Sequence, residues 1–303
     1  MTQGYTALRE HSAWLDLSAR GKIKVSGEDR ARLLHAMTTN HVQQLKPGGG
    51  CYAFFLNAQG RILGDVNLFC FEDHFLLDTE PETRHKLFDH LDRYIIADDV
   101  TLSDETENIA TISIEGPQAA QTLTHLCSPV PEMAYSTATC GPCTVARVDS
   151  TGAGGFFLFT LIDDKPRLIR DLEIAGAVPA TPYEATIVRL EHGRPRYGEE
   201  ITERFLVQET GQLQAIHFSK GCYLGQEIVE RVRSRAQIHR ILRRLEIDST
   251  EIPPAGTKFE GGEIVSAVLS PALGKVVAMA YVRTSNSEPG AELSVAGAPA
   301  RVT

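Results

Sequence analysis

With 303 residues, 42% of them apolar and 23% charged, the chain has the makeup of a globular protein of two or three domains rather than of a disordered or fibrous one. Its net charge of −9 argues against general attraction to DNA, RNA or an anionic membrane surface. No apolar run approaches the ~20 residues of a membrane helix, and Met1–Glu10 lacks the apolar stretch of a secretory leader, so a soluble cytoplasmic protein is expected, with neither membrane nor DNA as partner.

In chain order, Lys22–Val25 predicts a strand and Gly27–Met37 an amphipathic helix, with Glu28 and Asp29 in its first turn where the helix dipole favours acids. The turn at residues 46–50 leads into strands over Cys51–Leu56, Arg61–Phe71 and His74–Asp78, followed by a helix over Pro81–Tyr94 and a strand over Asp99–Ser103. A related order then recurs: a strand over Ile109–Glu115, a helix from Gly116 to Leu126, strands over Cys143–Asp149 and Gly155–Leu161, and a helix over Asp163–Ala175. The pattern predicts two ferredoxin-like α+β halves, residues 1–105 and 106–240, related by duplication, although chance rhymes between α+β segments compete with that view. Beyond residue 240, turns such as Pro253-Pro254 and Glu288-Pro-Gly290 punctuate short apolar runs, which predicts a small antiparallel β-barrel over 241–303.

Six cysteines, at 51, 70, 127, 140, 143 and 222, form no disulfide framework. Cys51, Cys70 and Cys127 lie among Phe, Leu and Val and are expected to be buried and inert. Cys140-Gly-Pro-Cys143 has thioredoxin spacing, but that chemistry needs a helix directly after the first cysteine. Here a strand follows, so Gly-Pro is expected to be a turn and the pair structural.

The segment Lys220-Gly-Cys-Tyr-Leu-Gly-Gln-Glu227 is different. Gly221 permits a sharp turn into a helix running to about Arg233, which would place Cys222 at its start, beside unpaired N–H groups and near Lys220. Both features favour a thiolate. Gly225 leaves room for close approach, and Gln226 and Glu227 add polar groups near the sulfur. A buried, inert cysteine fits the same residues equally well.

The octapeptide resembles the signature of the YgfZ family, whose mitochondrial relatives act in iron–sulfur protein maturation. Looser similarities follow in order at Cys51–Asp65, Leu91–Asp99, Val188–Gly198 and Ser270–Gly274. The resemblance implies three domains around a central folate-binding channel, with tetrahydrofolate or a related reduced folate as cofactor. The wider family includes the aminomethyltransferase of glycine cleavage, whose active-site aspartate Asp65 matches by position. A carboxylate there could bind folate or take a proton, whereas by itself the residue would pass for a solvent-facing strand edge. Arg189 and Glu191, two apart, would share a face if this piece is extended and could bind carboxylate and pterin edges; a surface ion pair is the alternative. The chain departs from the transferase at Gly155-Phe-Phe-Leu158, where that enzyme has Gly-Phe-Glu-Ile and uses the glutamate on the pterin.

The expectation is a tetrahydrofolate-binding accessory protein for iron–sulfur cluster assembly or repair, meeting iron–sulfur client or assembly proteins through Cys222. Lys220, Gly221, Tyr223, Gly225, Gln226 and Glu227 would shape the thiol pocket, and Asp65, Arg189 and Glu191 the folate channel. A folate-dependent aminomethyltransferase is the rival. A tRNA-modification factor is a third possibility, using the basic run Arg231, Arg233, Arg235, Arg240, Arg243 and Arg244. Against that, Ile238–Ile247 reads as a strand with Arg240, Arg243 and Arg244 outward in water, which is the reading favoured for those three, while an exposed pair of Glu227 with Arg231 competes evenly for Arg231 and Arg233. His192, His217 and His239 lack the spacing of a zinc site.

Overall fold

The computed structural model describes residues 1–235 and 238–303. The first half runs α1 (Gln3–Glu10), β1 (Ala13–Asp16), β2 (Gly21–Ser26), α2 (Arg30–Met37), β3 (Gly50–Leu56), β4 (Ile62–Cys70), β5 (His74–Thr79), α3 (Arg84–Asp92) and β6 (Thr101–Asp104). The second runs β7 (Ile109–Glu115), α4 (Ala119–Leu123), β8 (Thr137–Cys140), β9 (Cys143–Ala146), β10 (Gly155–Leu161), α5 (Lys165–Ile174), β11 (Val178–Pro179) and α6 (Pro182–Glu191). After α7 (Gln226–Arg235) come β12 (Arg240–Ile247), β13 (Lys258–Phe259), β14 (Gly262–Ser270), β15 (Lys275–Arg283), β16 (Glu292–Val295) and β17 (Ala298–Val302).

The sheet orders repeat as the expected duplication requires. The first sheet is β3-β4-β5-β2-β6 and the second β8-β9-β10-β7-β1-β11, so β2 corresponds to β7 and the β3–β5 meander to β8–β10. The parallel is incomplete, because β1 leaves the first half to pair with β7 and β11 inside the second sheet. The C-terminal strands form one antiparallel sheet, β13-β14-β15-β12-β17-β16, whose end strands approach each other in a nearly closed barrel.

Each ferredoxin-like sheet carries helices on its outer face. Leu33 and Leu34 of α2 and Leu87 and Leu91 of α3 bury against Val66, Leu68 and Leu77. Leu123 of α4 and Leu168 and Leu172 of α5 do the same against Ile112, Val145 and Leu158. Strand alternation sends Phe69 of β4 and Phe157 and Phe159 of β10 to the other side, where they form a third core between the halves. Phe69 and Phe159 meet edge to face, ring centroids 5.6 Å apart. This joint sets the spacing of the space beside it.

Several boundaries differ from expectation. Glu28 and Asp29 precede α2 rather than filling its first turn. Gly27 turns there at φ +102° with the Asp99 carbonyl where a Cβ would sit, and the Asp29 carboxylate accepts the Asp99 N–H instead of capping the helix. The helix expected to Leu126 stops at Leu123, with a tightened last turn in which the Thr124 N–H is shared by the Ala120 and Gln121 carbonyls. The larger revision concerns residues 182–191, which are helical. Thr181 and Glu184 form a reciprocal capping box with Pro182 in the first turn. No helix among the described residues is long and apolar enough to cross a membrane.

Candidate functional site

A cavity of about 540 Å³ lies between the inner faces of the two halves and reaches the chain after α6. Asp65 lines it. It sits on β4 opposite Phe54 of β3, only 8% exposed, not on a solvent-facing strand edge. The Tyr52 hydroxyl donates to Asp65 Oδ2 at 2.7 Å, and the Thr79 hydroxyl fixes the Asp65 backbone carbonyl. Oδ1 is buried without a protein partner, an arrangement costly to leave unmet. Burial, then the charge of Glu80, pushes this carboxyl up to about 6, against the opposing pull of Tyr52 and Arg20. The site therefore holds an acid that changes charge just below neutral pH.

Around Asp65 the guanidiniums differ in what already occupies them. Arg20 binds Asp78 through Nε and Nη2 at 2.9 and 2.8 Å and lies over the Phe157 ring. Arg189 lines the cavity, but its Nη1 and Nη2 are taken by Glu200 and Glu199 at 2.7 and 2.6 Å. Arg196 is tied to Glu80 and Glu82. Arg194, also on the wall, has no carboxylate within salt-bridge range among the described residues; it donates to the Asp149 carbonyl, and the Asp149 and Tyr135 side chains act on its charge from farther off. It, rather than Arg189, is the cation available to an anionic ligand. Arg194 stands within the Val188–Gly198 similarity, but nothing in the sequence marks Arg189 as neutralised.

Glu191 leaves the cavity altogether. On helix α6, residues two apart diverge by more than half a turn, so Arg189 and Glu191 cannot share a face. Glu191 accepts from Tyr5 Oη at 2.7 Å and Ser270 Oγ at 2.5 Å and pairs with Arg9, joining α1, α6 and the barrel.

The Lys220–Glu227 segment is built differently from the expectation. Helix α7 starts at Gln226, so Cys222 stands in the preceding loop, exposed, four residues short of the helix. The dipole argument for its thiolate therefore falls away, since that field fades within the first turn. Cys222 does not line the Asp65 cavity. Lys220 is buried and donates Nζ to the His35 and Thr38 carbonyls at the end of α2, satisfying acceptors the helix leaves open. Burial draws its amine down to about 7. Its Nζ also sits 4.8 Å from the Tyr223 ring centroid, and Tyr223 is buried among Phe54, Leu56 and Tyr197. Gly225 takes φ +83°, with the Asn57 carbonyl 2.7 Å from where a Cβ would stand. Gln226 accepts from the Tyr223 N–H, and Glu227 pairs in water with Arg231. Lys220, Tyr223, Gly225 and Gln226 thus build and seat an exposed loop that presents Cys222, whereas a Cβ at Gly221 would meet only His35 Nε2, at 3.9 Å.

The basic run is largely paired: Arg233 with Glu230, Arg240 with Glu209 and Arg244 with Glu246, while Arg243 donates to the Ser287 carbonyl. The Arg235 side chain lies outside the described residues. Next to the Cys222 loop the structure gathers three imidazoles that no local spacing reveals. His41 lies between His35 and His217, with centroids 4.6 and 5.0 Å away. Their edge-to-face stacking does not converge the nitrogens, and no trio of His, Cys, Asp or Glu among the described residues is arranged to hold a metal ion.

A protein-family model described as the GCVT N-terminal domain matches residues 1–220. The aminomethyltransferase of Rubrobacter xylanophilus is 30% identical over 97% of this chain and 82% of its own length. That of Streptomyces coelicolor is 28% identical over 95% of this chain and 82% of its own. Among solved structures, the glycine cleavage system aminomethyltransferase T from Bartonella henselae superposes with a TM-score of 0.89, covering 99% of this chain and 87% of that one at 21% identity. At that identity the superposition establishes the shared fold.

Proposed function

Because the chain belongs to the GCVT N-terminal domain family, we propose that it binds tetrahydrofolate, or a related reduced folate, in the Asp65 cavity and supports folate-dependent one-carbon transfer of the aminomethyl type. The observation that carries this is the buried Asp65 carboxyl, raised to about 6, with one oxygen directed to no protein group. The lining suits such a ligand. Phe157 offers flat apolar surface, and Arg194 lies on the wall with no carboxylate within salt-bridge range among the described residues. A reduced folate supplies an amine that can accept a one-carbon unit. Asp65 Oδ1 would hold or release the accompanying proton, Tyr52 would keep its carboxyl oriented, and the joint between the sheets would exclude water.

Tetrahydrofolate binding measured together with turnover of an aminomethyl donor tests this. Binding with turnover lost in Asp65→Asn is the expected result; absence of binding would remove the proposal.

One feature of the resemblance and one of the structure favour a second reading. By the resemblance Phe157 stands where the transferase has a glutamate, and the exposed thiol, Cys222, lies outside the cavity on a loop. Together with the resemblance of Lys220–Glu227 to YgfZ proteins, they support a tetrahydrofolate-binding accessory protein for iron–sulfur cluster assembly or repair, in which Cys222 meets client or assembly proteins. Binding without turnover, together with failure of Cys222→Ser to restore cluster-enzyme activity in a null strain, would select it.

A further inference from the structure

A second cavity, of about 520 Å³, opens on the outer face of the β8–β10 sheet between α4 and α5. Its floor is apolar, formed by Leu123, Leu126, Val145, Leu158 and Leu168, and the Cys140 and Cys143 side chains stand on its wall. Neither proposal for the Asp65 cavity uses this region.

The Cys140-Gly-Pro-Cys143 motif is a two-residue hairpin turn, with the cysteines directly opposite each other across β8 and β9. No helix follows the first cysteine, so a thioredoxin-type pair is excluded on geometry. The structure supplies a different partner. Cys127, on the segment leaving α4, packs in the same buried cluster as Cys140, with its thiol near enough to hold the Cys140 thiol up. Cys140 Sγ also donates to the neighbouring Leu126 carbonyl at 3.1 Å. The contact joins residues thirteen apart, on two elements that both wall the cavity. Cys127 is 3% exposed, while Cys140 is half-buried and reaches the open space.

We propose that Cys140 and Cys127 form a thiol–disulfide switch, oxidised by low-molecular-mass disulfides that enter the second cavity. The Cys140 thiolate attacks one sulfur of the incoming disulfide, forming a mixed disulfide and releasing one thiolate, which takes up the proton Cys140 lost. Cys127 then attacks Cys140 Sγ; the Cys127–Cys140 bond forms and the second small thiol departs with the Cys127 proton. Two protein thiols are oxidised and one small disulfide is reduced to two thiols. Exposure sets the order, since the open cavity reaches Cys140 and Cys127 lies behind it. Burial, then the contact with Cys127, holds the Cys140 thiol up at about 12, so oxidation is slow near neutrality and gains about tenfold per pH unit as the thiolate fraction grows. Closure fixes the chain leaving α4 to the end of β8 and narrows the cavity between them.

The test uses the full chain incubated with oxidised glutathione near neutral pH and about two units higher, quenched with a maleimide and mapped by mass spectrometry. A Cys127–Cys140 cross-linked peptide is expected in the wild type and in Cys143→Ser, formed about 100-fold faster at the higher pH. Cys127→Ser should stop at glutathione bound to Cys140. A Cys140–Cys143 link, or Cys127 and Cys140 both alkylated as free thiols after Cys222 has been fully modified, would overturn the proposal. Wild-type mapping alone decides the matter, and tetrahydrofolate binding is a separate readout whose failure leaves it untouched.

Discussion

Asp65 and Cys222 are the two reactive side chains singled out from the sequence, and the fold treats them in opposite ways. Asp65 is walled in by both halves, oriented by Tyr52 and raised towards neutrality by burial. Cys222 is held out in water on a loop whose neighbours, Lys220 and Tyr223, are the buried anchors. A group that must exchange a proton inside a cavity gains from desolvation, whereas a group that must meet another macromolecule gains from access. The two residues therefore make separable predictions.

The sharpest break of the comparison is Asp65→Asn. Folate-dependent turnover should fall by about 10²–10⁴-fold, the usual contribution of a positioned acid or base. The same variant should be more stable than the parent at pH 8, by about 1–3 kcal/mol in chemical denaturation. The sign follows from the raised acid: the folded state binds the proton more tightly, so the penalty is full above about pH 6 and disappears below the unfolded carboxyl's range. A gain that is equal at pH 4 and pH 8 would show that Asp65 is not held as the structure implies.

Gly225→Ala tests the loop's seat, not its chemistry. A positive φ and a backbone oxygen at 2.7 Å predict a loss of about 2–4 kcal/mol. Lys220→Met leaves two helix-end carbonyls unpaired and should cost about 1–3 kcal/mol. Because burial lowers this amine to about 7, the wild type carries a charging penalty that is full below neutrality and fades as pH rises towards the unfolded lysine value. The variant should lack that alkaline gain in a thermal unfolding series. Cys222→Ser should do least, changing stability by no more than about 0.5 kcal/mol and leaving folate affinity unaltered. A large effect on either would mean that the loop and the cavity are coupled.

Much of this was legible in the sequence where the pattern is local. Ile109–Glu115 and Gly155–Leu161 appear with their expected ends, because short apolar runs bounded by turns have few other solutions. The duplication survives as matching sheet orders. The condition under which Arg189 and Glu191 share a face, an extended chain, fails because the Thr-Pro-Tyr-Glu start is a capping box that outweighs the β-branched Thr186, Ile187 and Val188 behind it. Cys222 falls short of the helix because the turn expected at Gly221 is made by Gly225, with its positive φ. The idle Arg194, the engaged Arg189 and the meeting of Cys127 with Cys140 depend on which distant carboxylate or thiol lies opposite, and no spacing encodes that.

The placement of β1 has a consequence for how the molecule comes together. Ala13–Asp16 is an inner strand of the second sheet, flanked by β7 and β11, yet it is separated from both by the whole of the first ferredoxin-like unit. During synthesis it must wait, unpaired, until roughly a hundred further residues have emerged. A proteolytic nick near residue 105 should accordingly yield two fragments that stay associated under native conditions, and removing the first sixteen residues should unravel the half that lies farther along the chain.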